Sequence, residues 1–217
     1  MLWSRHSRKK TGFSRLKGER VLRRLSKLAL AVYALIALSG CQGVYTKIPL
    51  EGTQDPRVPG VWQVEGETDT IEVRLGGEEY VAQPKGDDEK PLRFRIVKVG
   101  EALYAQSGGK PCEAFPSEAE CYALARLVFT GADAVALIDF DTAAMFRASL
   151  QEDFGVGYEL RRRVSAAQPP PSPLRIMNEF LLSGDRAQLR AFLTKYGERF
   201  AASTKRVRYR RVMPKAP

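Results

Sequence analysis

From Gly60 onward the chain alternates apolar and polar side chains with a period of two, and this pattern limits the fold more than any other feature. Ile71, Val73 and Leu75 alternate with Thr70, Glu72 and Arg74, and Leu92, Phe94 and Ile96 alternate with Arg93 and Arg95. A half-buried strand needs this period, because successive side chains leave opposite faces of a sheet. Turn residues separate the runs. Gly76-Gly77 is placed to supply the positive φ of a hairpin into Glu79–Gln83, Gly100-Glu101 leads into Ala102–Gln106, and Gly131-Ala132-Asp133 joins Tyr122–Phe129 to Ala134–Phe140. That last strand is apolar on both faces, which places it inside a sheet. Gly155–Arg163, Arg175–Leu182 and Lys205–Val212 read as further strands, the final one closing or edging the sheet.

Two helices interrupt the pattern. Asp141 and Thr142 are suited to cap a helix reaching about Asp153, with Met145, Phe146 and Leu150 on one side. Asp185 with Gln188 forms a capping box for a second helix, in which Leu189, Phe192, Leu193 and Tyr196 share a face and Gly197 ends the run. Between them the proline-rich stretch 165–173 suits neither a helix interior nor a central strand, so it reads as a surface crossover. The expected fold is mainly β with two helices: an antiparallel, strongly curved sheet or barrel, forming a single domain over residues 60–213 with a short tail at 214–217.

Charge is divided unevenly along the 217 residues. Residues 1–40 hold ten of the 35 Lys and Arg against the single acid Glu19, leaving 25 basic and 24 acidic side chains in the 177 residues that follow. Of the net charge of +10 the leader therefore carries +9 and the body only +1, and the body offers no footprint for nucleic acid. The only histidine, His6, lies in the same segment, so the body has no imidazole for a triad, a general base or a metal. With no glycine-rich phosphate loop or nucleophile elbow either, no enzyme and no cofactor are expected.

The basic leader gives way to Leu28–Leu38, eleven uncharged residues. That is the length of a signal-peptide core, well short of the roughly 20 residues of a spanning helix. Leu38-Ser39-Gly40-Cys41 follows and resembles the lipobox of bacterial lipoproteins. The resemblance implies that Cys41 takes the diacylglyceryl group and becomes the first residue of the mature protein, anchored to the membrane by acyl chains. Gln42 replaces the aspartate that signals inner-membrane retention, which implies an outer-membrane location facing the periplasm. Residues 41–59 read as a lipidated tether. Cys112 and Cys121 would then lie in an oxidising compartment, where a disulfide is expected, with a short helical turn at Ser117–Glu120 bringing them together.

Gly60-Val61-Trp62 resembles the G-x-W signature of lipocalins, whose tryptophan closes one end of an eight-stranded barrel against a basic side chain from a late strand. The resemblance implies that role for Trp62, with Arg208 or Arg210 as its partner through cation–π contact. Arg206, Arg208 and Arg210 share one face of the last strand and Val207 and Tyr209 the other, a basic ribbon suited to lipid phosphate or to blocking an edge. Asp139 and Asp141 are two residues apart at a strand end. They read as a strand terminus and a helix cap, or as a carboxylate pair for acid–base work; Asp87-Asp88-Glu89 reads as a solvated tip. Together these features lead to a membrane-anchored, non-enzymatic periplasmic lipoprotein binding an apolar or amphipathic envelope molecule. The alternative is a module binding or inhibiting a protein of the cell envelope.

Overall fold

A computed structural model describes residues 43–85, 90–110, 112, 115–165, 175–201 and 206–212. The leader, Cys41, the Asp87-Asp88-Glu89 tip, the prolines of the 165–173 crossover and the tail at 214–217 lie outside the described residues. Strands β1 to β11 run Val44–Thr46, Gly60–Val64, Thr70–Gly76, Glu79–Pro84, Leu92–Val99, Ala102–Lys110, Cys121–Phe129, Ala134–Ile138, Gly157–Ser165, Arg175–Ser183 and Arg206–Arg211. Helices α1 (Thr142–Ser149) and α2 (Arg186–Phe200) complete the described elements.

Among the described residues, eight strands close into an antiparallel barrel. β2 to β8 follow one another as a meander, β6 pairs with β7, and β11 closes the ring between β8 and β2. The register carries one face of every strand inward: Trp62 opposite Ile71, Val73 opposite Ala82, Ile96 opposite Ala105, Leu103 opposite Leu127, Phe129 opposite Val135, and Tyr209 opposite both Val135 and Val64. The period-two pattern thus becomes an inner apolar wall. The hairpin between β3 and β4 turns through Gly77 and Glu78, with φ +79° at Gly77; Gly76, expected to share the turn, is the last residue of β3 and pairs with Glu79.

Between β8 and β11 the chain leaves the barrel and builds a second layer. β7 pairs with β8 over Arg126–Phe129 and with β1 over Tyr122–Leu124, so a short sheet of β1, β10 and β9 branches from it. β1 is parallel to β10, and β10 antiparallel to β9. On one face of this branch Val44, Phe180 and Leu182 join Val97, Val99, Tyr104 and Leu124 from the outer barrel wall, and α1 and α2 cover them through Met145, Leu189, Phe192, Leu193, Tyr196 and Phe200. On the other face Tyr45 and Leu181 pack with Phe115 and the Cys112–Cys121 disulfide, whose Cα atoms are 5.3 Å apart. In place of a helical turn at Ser117–Glu120, a tight turn spans Phe115–Glu118, with Glu118 N–H donating to Phe115 O; Phe115 N–H donates to Cys112 O.

Two expectations are corrected here. The expected tether at 41–59 is not free over its described residues, 43–59: Val44 is fully buried between β7 and β10, and Leu50 is fully buried in the helix-side core. Leu50 N–H donates to Gln106 Oε1 at 2.9 Å, and Thr53 bridges to Ile96. A run with no periodicity looks like linker, but its few apolar residues are each buried separately around the barrel. Gly197 does not end α2, which continues to Phe200. It serves close packing, since a methyl there would land on the hydroxyl of Tyr104, itself buried and stacked on Phe140.

Candidate functional site

The site is the barrel end at which β2, β8 and β4 begin and β11 and β7 finish. Trp62 is 4% exposed and projects inward from β2. Its indole N–H donates to Val58 O at 2.9 Å, which fixes the ring beneath the segment that crosses the mouth. Below it lies an apolar cavity of about 70 Å³, lined by Trp62, Val73, Phe94, Ala105, Leu127 and Tyr209 among others. Burial pushes the Tyr209 phenol upward, and the charges of Glu67 and Asp139 push it in the same direction, so this side chain stays protonated.

Two arginines hold the mouth shut. The Arg211 guanidinium lies 4.5 Å from the Trp62 ring centroid and donates to Pro59 O at 2.8 Å and Arg57 O at 2.6 Å; its Nε is 3.6 Å from Asp133. Arg57 lies 4.1 Å over Phe129 and pairs with Asp55 at 2.6 Å. That guanidinium holds the Asp55 carboxyl below the usual aspartate range. Asp55 N–H donates to the Tyr80 hydroxyl at 2.7 Å, tying the mouth segment to β4. Gly60 makes the arrangement possible. It sits at φ +147°, and a side chain there would occupy the place of the Arg211 guanidinium.

The basic partner of Trp62 is therefore Arg211. Arg208 and Arg210 face outward, 62% and 73% exposed, and lie 3.8 and 3.6 Å from Glu65. The alternation that puts Val207 and Tyr209 on one face puts Arg211 there as well, so the phase of the last strand carried the signal. Arg57 had no comparable signal, because its segment reads as linker. The basic ribbon is not on an edge: β11 pairs with β8 and β2. Asp141 caps α1, accepting from Ala143 N–H at 3.1 Å and Ala144 N–H at 2.9 Å, and Asp139 is also engaged with neighbouring groups.

Fold and site define a closed eight-stranded antiparallel β-barrel, with a disulfide and a tryptophan–arginine closure over a small apolar cavity. No family model, curated protein or solved structure matches the chain.

Proposed function

We propose that this is a lipid-anchored protein of the bacterial cell envelope, attached through Cys41 to the outer membrane and facing the periplasm, whose barrel is a non-enzymatic module for the apolar end of an envelope molecule. The observation that carries the reading is the cavity behind Trp62, apolar throughout except for one phenol. Its volume of about 70 Å³ is roughly half that of an engineered cavity of about 150 Å³ that admits benzene. It suits the terminus of an acyl chain, with the rest of the molecule outside the barrel. The disulfide fits an oxidising compartment.

Trp62 is the sole tryptophan after Cys41, so it reports on its own cavity. Residues 42–217 titrated with a bromine-labelled fatty acid should lose Trp62 fluorescence saturably. Ala105→Leu, which fills the cavity floor, should abolish the quenching and leave the circular dichroism unchanged. Quenching that is absent, or insensitive to Ala105→Leu, would reject the apolar-ligand reading and redirect the search to a protein partner.

A further inference from the structure

We propose that the end of the ribbon at which β9 finishes and β10 begins is held at the surface of a bilayer rich in anionic phospholipid by the shortness of the link to the anchor. The proposal rests on the reading of Cys41 as the lipidated residue. Gly43 is fixed in the fold, its carbonyl accepting the Phe180 N–H at 3.1 Å, and Val44 beside it is fully buried. An extended chain covers at most about 3.6 Å per residue, so the Cα of Cys41 lies within roughly 7 Å of that of Gly43. No tether long enough to lift the domain off the membrane separates them.

The strand register says what stands beside that point. β1 and β10 are parallel with Val44 opposite Phe180, so Arg175–Glu179 continue past Gly43 on the side from which Cys41 enters. At about 3.3 Å per residue that extension reaches some 16 Å, farther than Cys41 can. β9 keeps pace with it, Glu179 opposite Arg161 and Arg175 opposite Ser165. Acyl chains leaving Cys41 therefore enter the bilayer alongside a ribbon that extends beyond their point of attachment.

The ribbon's residues suit a phosphate-covered surface. β9 carries Arg161, Arg162 and Arg163 in succession and β10 begins with Arg175. In the stretch past Gly43 the one acid is Glu179, which is fully buried. Arg162 is exposed, its guanidinium 4.1 Å over the Phe146 ring of α1. Basic side chains held within a Debye length of an anionic leaflet add to binding, each by about fivefold. The branch of the sheet, which the barrel does not need for closure, thereby acquires a role in setting the orientation of the barrel on the membrane.

The test uses the mature protein recovered from bacterial membranes. Its intact mass establishes whether Cys41 is acylated. The protein is then reconstituted in vesicles of phosphatidylcholine, with and without phosphatidylglycerol. Deuterium uptake is followed in peptides covering β9 and β10, with β11 as the internal reference. Exchange in the ribbon should slow by about tenfold in the anionic vesicles relative to detergent, with β11 unchanged. The protection should fall to its phosphatidylcholine level in the triple variant R162Q/R163Q/R175Q. It should disappear when a flexible linker of about ten residues is inserted between Gln42 and Gly43. An acylated chain whose ribbon exchanges equally in vesicles and detergent, or is protected equally with the linker in place, overturns the docking alone. A chain without acylated Cys41 overturns the anchor and the docking together.

Discussion

Replacing Arg211 with methionine tests the closure of the barrel most directly, because the change keeps the length of the side chain and removes the charged fork. Arg211 is only 22% exposed, and its guanidinium makes two hydrogen bonds to backbone carbonyls in addition to its contact with Trp62. Hydrogen bonds from a charged donor contribute about 1.5 kcal/mol each at the lower end, and a cation–π contact about 0.5–1 kcal/mol. Pro59 O and Arg57 O lie near the surface and recover part of this from water, which leaves a net cost of about 2–3 kcal/mol. For a body of this size that lowers Tm by about 5–10 °C. Urea unfolding of residues 42–217, followed by Trp62 fluorescence and by circular dichroism, measures it. Arg211→Lys should recover the smaller part, since an ammonium cannot reach both carbonyls while covering the ring. The contrast is with Arg208→Met and Arg210→Met, whose ion pairs to Glu65 are long and exposed and should cost no more than about 0.5 kcal/mol. A loss below about 1 kcal/mol for Arg211→Met, or an equal loss for Arg210→Met, would refute the assignment of Arg211 as the closing residue.

Three other outcomes are expected. Replacing Cys112 and Cys121 with serine should lower stability by about 2–3 kcal/mol, the loop-closure value for a separation of nine residues, and reductant added during urea unfolding should reproduce the loss in the parent protein. Gly197→Ala should destabilise by about 1–2 kcal/mol despite its gain in helix propensity, because the new methyl displaces the Tyr104 hydroxyl; Tyr104→Phe in the same chain should restore most of the loss, as a double-mutant cycle would show. Asp55 has its carboxyl pKa lowered from 3.8, chiefly by hydrogen bonding to Arg57, so it stabilises the fold above the unfolded value and ceases to do so as pH falls through the folded one. The stability advantage over Asp55→Asn should thus be about 1 kcal/mol at neutral pH and shrink as the medium is acidified below the unfolded value, and an advantage that grows toward acid would contradict the sign.

The barrel was legible because a half-buried strand writes itself into sequence locally. Ile71 to Leu75 and Leu92 to Ile96 declare their inward faces residue by residue, and the Asp185–Gln188 box declares the start of α2. What was missed is what depends on a distant partner. β1 is three residues long and is stabilised by β7 and β10, both far along the chain, so nothing in Val44–Thr46 distinguishes it from a tether. Gly197 has the local signature of a helix end, but its environment is set by Tyr104, more than ninety residues earlier.

Arg211 lies between these cases, since its face follows from the local alternation while its function depends on Trp62, at the other end of the body. The phase of β11 alone would have chosen it over Arg208 and Arg210, because only an inward arginine at the end of the strand can reach a tryptophan that lies inside the mouth. The choice between these arginines was thus fixed by geometry that the sequence contained. The burial of β1, and with it the closeness of the sheet to Cys41, became visible only when the pairing of β1 with two remote strands was known. Function follows the same division: the closure of the barrel was approachable from a motif, whereas the proposed orientation of the barrel on a membrane rests on a parallel pairing for which no motif exists.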